Sequence, residues 1–227
     1  MQVKVPIRLS DGSVSAGKYP VQLPFDILQF LICDCNLNID GRLLDQYWGH
    51  LDNVSDDWAL TTEEYRATAG VVWPLGFYGD EAAIGLINAP TNKILGLYMN
   101  IVVFRPTSTR MGRYLLFSIE SDKVVSPEET IFPVVDVITA SFNKLTEQGI
   151  GHIRFLLSEI RGDQVFFRYL FQRRSWWKHT EVCFRCKADS KCGSLNYCIY
   201  DSPDGWRTTL RSTAEFLVDQ LPQNRPE

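Results

Sequence analysis

Between residues 71 and 163 the apolar side chains change period in a fixed order, and that order narrows the folds open to the chain more than any other feature. Val71, Val72, Trp73, Leu75, Phe77 and Tyr78 form a branched and aromatic run that stops at Gly79-Asp80-Glu81. Residues 94–104 are uncharged and almost all apolar, as a buried strand is, and residues 113–120 form a third run after a Pro-, Ser-, Thr- and Gly-rich turn at 106–112. Short turns favour antiparallel pairing. A helix then starts at Ser126-Pro127-Glu128-Glu129, which supplies a cap, a proline in the first turn and two acids at the positive end of the helix dipole. Its apolar spacing runs through Val134, Val135, Ile138, Phe142 and Leu145 to Gly149, with Pro133 expected to kink it. Residues 153–160 make a fourth strand ending at Arg161-Gly162-Asp163, and Val165, Phe166, Tyr169 and Leu170 return to helical spacing. A helical crossover between strands is right-handed, so the fourth strand is expected parallel to the first and next to it.

The 227 residues divide into three expected segments. Residues 1–70 read as an N-terminal arm and helical preface: a loose, Pro- and Gly-punctuated stretch to residue 24, a short helix over 25–35, then helical spacing at Leu43, Leu44, Tyr47, Trp48 and Leu51. Another short helix ends near Gly70. Residues 71–175 hold the mixed α/β core, and residues 176–227 hold a Cys-rich segment and a C-terminal helix. With 45% hydrophobic and 22% charged residues the composition is that of a folded globular chain, which excludes collagen, rods and wholesale disorder. The longest uncharged stretches are about a dozen residues, short of the roughly 18 or more that a membrane span needs. Charges at Lys4 and Arg8 interrupt what a signal peptide would keep apolar, so the chain is expected to be intracellular with no membrane partner.

Strand, strand, strand, helix, strand is the winding order of the ribonuclease-H-like fold. The sequence therefore predicts a mixed α/β, ribonuclease-H-like βββαβα core with a helical N-terminal preface and a small Cys-rich appendage. Asp80 closes the first strand in this reading and Asp163 closes the fourth, so parallel pairing would bring both carboxylates to one sheet edge. Two carboxylates held close repel unless a proton or a cation lies between them, and oxygen-only ligands suit Mg2+ or Mn2+. Glu81 and Glu159 are nearby alternatives, with alternation placing Glu159 on the opposite strand face from Ile160. A competing account of each Gly-Asp step is turn chemistry: glycine for a positive φ, aspartate to cap the next helix.

Charge is unevenly spread. Residues 22–81 hold eleven acids against two bases, whereas residues 151–215 hold eleven Lys/Arg against seven acids. Arg161, Arg168, Arg173 and Arg174 could contact phosphates, and Trp176 and Trp177 could stack on an unpaired base or pack a junction. Six cysteines fall as Cys33 and Cys35, expected to lie in the core of an apolar helix, and as a cluster of Cys183, Cys186, Cys192 and Cys198. The Cys-x-x-Cys step offers two sulfurs to one tetrahedral zinc, and His179 is a further candidate ligand. A structural Zn2+ is expected, with the choice among these five ligands open.

Pro74-Leu75-Gly76-Phe77-Tyr78-Gly79-Asp80-Glu81-Ala82, Glu159-Ile160-Arg161-Gly162-Asp163, the Cys-x-x-Cys and Trp206-Arg207-Thr208-Thr209 together resemble the core of cut-and-paste transposases with a DDE/D triad. More narrowly, they resemble mobile-element-derived proteins of dinoflagellates. The resemblance covers about residues 71–211. It implies Asp80 and Asp163 as the first two catalytic aspartates, Mg2+ or Mn2+ as cofactor, DNA as partner, strand cleavage and transfer as the reaction, and a nuclear location. The family also places a third acid on a later helix. Glu215 lies on a late helical stretch but lacks the strand that should precede it. The alternative is a noncatalytic, zinc-stabilised module that binds nucleic acid or protein.

Overall fold

A long central strand organises the part of the chain described in the computed structural model, which comprises residues 1–54, 57–83, 93–106, 108, 112–163, 166, 167 and 170. The elements are β1 (Gln2–Arg8), β2 (Val14–Pro20), α1 (Pro24–Gln29), α2 (Gly41–Asn53), α3 (Asp57–Thr61), α4 (Glu63–Ala69), β3 (Val71–Ala83), β4 (Lys93–Ile101), β5 (Tyr114–Glu120), α5 (Phe132–Glu147) and β6 (Ile153–Gly162). They belong to the first of two units into which the chain divides, Met1–Phe166 and Phe167–Glu227. The fold of the first unit is mixed α/β.

Four strands form one mixed sheet in the order β5-β4-β3-β6. The pairs β3/β4 and β4/β5 are antiparallel, whereas β3/β6 is parallel, with α5 in the connection that leads to β6. The antiparallel pairing of β4 with β5 and the parallel, neighbouring pairing of β3 with β6 are those expected from the short turn and the helical crossover. Residues 72 to 77 of β3 are all buried, because both faces of this half of the strand are covered. On one face Phe77 meets Phe142 of α5 edge-on at 6.1 Å and Trp73 meets Phe155 at 5.8 Å. Trp48 of α2 donates from its indole nitrogen to the Val72 carbonyl at 3.0 Å, which ties the helical preface to the same strand. Pro74 is tolerated in this central strand because its missing N–H faces β4 just before the first register pair of that ladder, Leu75 with Ile101, and so leaves its pairing with Leu156 of β6 undisturbed. Its carbonyl still accepts from the Val102 amide at 2.9 Å.

Residues 1–24 are more ordered than their prolines and glycines suggest. β1 and β2 pair antiparallel along seven residues, with Val3 and Val5 turned into the core at alternate positions. The hairpin is fastened to the sheet edge by the Gln22 amide, which donates to the Leu116 carbonyl at 2.8 Å, and by Tyr19 against Phe117. Against β1, where the Thr130 hydroxyl donates to the Pro6 carbonyl at 2.8 Å, Ser126 accepts from the Glu129 amide at 3.2 Å, and a wide i to i+5 turn over Pro127–Ile131 leads into α5. Pro133 therefore sits in the first turn of α5, just after the helical path tightens from the wide turn, where a missing N–H costs least. α5 ends where Gly149 takes φ +66°, a left-handed position that favours glycine.

Cys33 and Cys35 depart from expectation. The apolar stretch leaves the α-helical path after Gln29 and forms a wide turn over Phe30–Asp34, so both thiols are exposed rather than packed in the core. Among the described residues, no helix is long and apolar enough to cross a membrane.

Candidate functional site

The two Gly-Asp steps come together, by a route that simple strand alternation does not foresee. Trp73 pairs with Phe155 and Leu75 with Leu157, which places Phe155 and Leu157 on the α5 face of β6. Strict alternation from Phe155 would carry Asp163 to that same buried face. A β-bulge at Ser158 intervenes: Gly76 pairs with Glu159, Tyr78 with Arg161 and Gly79 with Gly162. The extra residue changes the phase of β6, so Glu159, Arg161 and Asp163 join Gly76, Tyr78 and Asp80 on the opposite face. Ser158 is held in the bulge from both sides, accepting from the Tyr47 hydroxyl at 3.0 Å and donating to the Leu75 carbonyl at 3.2 Å.

The glycines of these steps are explained by space, not by a turn. Neither has a positive φ. Gly79 and Gly162 are register partners on the α5 face, and the Phe166 ring lies directly over both. A Cβ at Gly79 would come within 1.9 Å of that ring, and one at Gly162 within 2.1 Å. Phe166 is 2% exposed and also meets Phe77 edge-on at 5.9 Å. Each glycine thus accepts the aromatic ring on one face while the aspartate after it, one step past the last register pair, emerges on the other. Neighbouring strands lie about 4.8 Å apart, so the two carboxyl groups start from adjacent positions.

Asp80 and Asp163 are both exposed and line one cleft of about 530 Å³. Asp80 does not end its strand as expected, since β3 continues through Ala83; the polar residues 79–81 are still paired with β4. Asp163 does follow the end of β6, and its Oδ1 accepts from the Phe166 amide at 2.7 Å. One carboxylate is therefore partly committed to capping, as the turn-chemistry account foresees, while still facing the cleft.

Cations surround the pair. Arg161 lines the cleft and is ion-paired with Glu159. Arg105 and Arg113 line it from the β4–β5 connection, and the Arg113 guanidinium sits 5.6 Å from the centre of the Tyr78 ring. Burial pushes the Tyr78 phenol above its ordinary pKa, an effect that Arg113 opposes and that Tyr98 and Asp80 reinforce. The sequence reading found Arg161 but missed Tyr78, Asn100, Arg105 and Arg113. Arg105 and Arg113 flank a Gly- and Pro-containing turn, which is the one available signal; Asn100 lay within an apolar run that hid it.

The other acids near the site are engaged elsewhere. Glu81 falls on the α5-side face and pairs with Lys93 at 2.7 Å. Glu159 shares the face of Asp163, so alternation does not separate the two, but it is bound to Arg161. Among the described residues no group of three or more His, Cys, Asp or Glu side chains gathers as a metal site. Arg168, Arg173, Arg174, Trp176, Trp177, His179, Cys183, Cys186, Cys192, Cys198 and Glu215 lie outside the described residues.

A second cleft, of about 480 Å³, opens between α2, α4 and the start of β3. Its arginine, Arg66, is engaged in the fold: it pairs with Asp52 at 2.6 Å and lies over the Trp48 ring at 4.8 Å. That arrangement reads as packing of the preface onto the sheet. Comparison with known proteins gives no matching family model, no matching curated protein and no matching solved structure.

Proposed function

We propose that the first unit is a ribonuclease-H-like, transposase-like domain that uses a divalent cation to cleave and transfer DNA strands. The observation that carries this reading is the placement of Asp80 and Asp163 on adjacent parallel strands, facing one cleft that Arg161, Arg105 and Arg113 also line. The donor chemistry fits Mg2+ or Mn2+: both candidate ligands are carboxylate oxygens, and Mg2+ is commonly held by one or two carboxylates with waters and substrate phosphates completing its shell. A cation bound there supplies a Lewis acid for the phosphodiester and an acidified water. The arginines hold the scissile phosphate and its neighbours, with Arg161 oriented by Glu159. In cleavage an oxygen of water bonds to phosphorus, the bond from phosphorus to the 3' oxygen breaks, and that oxygen leaves with a proton from solvent. In transfer a 3' hydroxyl takes the place of the water.

A second reading has its own support. Asp163 caps Phe166, so one of the two carboxylates has a structural task, which suits a module that kept the fold and binds without cleaving. In both readings Cys183, Cys186, Cys192, Cys198 and His179 are the proposed ligand pool for a structural zinc in the second unit.

Calorimetric titration of Mn2+ into the wild type and Asp80→Asn, paired with nicking of a supercoiled plasmid, separates these outcomes. Manganese binding and nicking that both need Asp80 support the enzyme. DNA binding without nicking supports the noncatalytic module, and Mn2+ binding that survives in Asp80→Asn removes the paired-aspartate site.

A further inference from the structure

We infer that the cleft beside Asp80 receives one unpaired nucleotide, so that the strand on which the site acts is single-stranded at the point of contact. This deepens the proposed function and rests on it for the role of the aspartates, but its argument comes from a different part of the cleft. The cleft combines three chemistries within about 530 Å³, the size of a small-ligand pocket. Two carboxylates stand at one side, three guanidinium groups line it, and the third part is neither acidic nor basic. Phe104 and Pro106 give an apolar wall, and the Asn100 amide and Tyr78 phenol complete the lining. A nucleotide has the matching parts: an anionic phosphate, a flat apolar face, and a polar edge that an amide can read.

The amide is held in place by absences. Asn100 pairs with Gly76 across β3 and β4, and a Cβ on Gly76 would come within 2.4 Å of Asn100 Oδ1. The side chain therefore lies across the bare backbone of β3, next to Tyr78. Two pairs further along on this face, opposite Asp80, Gly96 leaves room for Tyr98, whose ring a Cβ there would meet at 2.5 Å. Tyr98 in turn stacks on Tyr78, with ring centres 5.0 Å apart and planes within 11°. The Tyr78 hydroxyl ends up buried with no hydrogen-bond partner among the described residues. Buried hydroxyls are normally satisfied, so an unsatisfied one on the wall of a cleft marks a place for a donor or acceptor from outside the chain.

A base within a duplex cannot use this surface. Its polar edge is already paired and its faces are stacked, whereas Tyr78 and Asn100 sit on the backbone of a sheet that only a splayed base can approach. The arginines then bind the phosphates flanking that base, and the phosphodiester falls beside Asp80.

The test is fluorescence anisotropy with a labelled 12-nucleotide DNA strand and with the same strand in a duplex, both in Ca2+. The single strand is expected to bind at least about tenfold more tightly than the duplex. Asn100→Ala is expected to weaken single-strand binding about tenfold, equivalent to about 1.4 kcal/mol, with little change for the duplex. Gly76→Ala should reproduce that loss by displacing the amide, and a thermal melt of each variant checks that it is folded. Equal affinity for strand and duplex, or full single-strand affinity in folded Asn100→Ala, overturns the inference. If that happens while Mn2+ binding still requires Asp80, the paired-aspartate reading stands without it; if neither oligonucleotide nor Mn2+ binds, both fall.

Discussion

Gly79-Asp80 and Gly162-Asp163 are the same dipeptide on neighbouring strands, yet they carry different structural roles. Both glycines make room for Phe166. Asp80 sits inside a strand that is still paired with β4 there, and its carboxylate has no part in holding that strand. Asp163 stands where its strand ends, and its carboxylate holds the Phe166 amide. A motif repeated in one sheet can therefore be structural in its glycines, shared in one aspartate and spare in the other. The spare residue is the better marker of function, because packing and hydrogen bonding do not explain it.

The sharpest way to break the comparison is to remove the ring that both glycines serve. Phe166→Ala is expected to destabilise the first unit by about 3–5 kcal/mol, the usual range for emptying a buried phenylalanine site, as read by urea unfolding. Gly79→Ala and Gly162→Ala attack the same contact from the other side, and overpacking of this kind costs about 1–3 kcal/mol. If the two alanine variants retain wild-type stability, Phe166 does not lie over the glycines and the explanation of the Gly-Asp steps fails.

The aspartates themselves sharpen it. Asp163→Ala is expected to cost about 0.5–2 kcal/mol, as loss of a capping carboxylate does. Asp80→Ala, at an exposed position with no such bond, is expected to stay within about 0.5 kcal/mol of wild type. Equal losses in the two variants would mean that Asp80 has a structural partner and is no longer the cleaner functional marker.

How much of this was legible in the sequence follows from what each feature depends on. Strand order depends on hydrophobic period and on the handedness of a helical crossover, and both can be read along the chain. The pairing of Asp80 with Asp163 on one face depends on Ser158 being an extra residue in β6. Nothing local announces that, because Leu156, Leu157 and Ile160 read as one continuous run and the bulge is fixed from outside by Tyr47, more than a hundred residues away. The same holds for the glycines. A Gly-Asp step suggests a turn, and only the tertiary position of Phe166 shows that the need is for space. Arg113 and Asn100 were missed because their significance comes from β4, and the connection from it into β5, lying beside β3, a relation between strands that no single segment contains. The β1–β2 hairpin was hidden differently: Pro6 and Gly17 lower the strand signal of each half, while the ladder and its fastening at Leu116 supply what propensity lacks.

The smallest expected effect concerns the open face alone. Tyr78 has its phenol pKa raised, first by burial, with Tyr65 and Tyr114 raised by burial as well. A raised phenol favours the protonated form in the folded chain, so the contribution is fully present below the unfolded value near pH 10. Above it the unfolded state binds fewer protons than the folded one, and stability falls as pH rises through the folded pKa values. Urea unfolding between pH 9 and 11.5 should show that decline, and absorbance at 295 nm should show phenolate appearing late. Tyr78→Phe should remove part of the late phenolate signal and flatten part of the decline. If Tyr78→Phe instead removes phenolate signal from the early part of the titration, near the ordinary phenol value, its hydroxyl reaches solvent freely, which would also take away the unsatisfied group on which the reading of an unpaired base in the cleft depends.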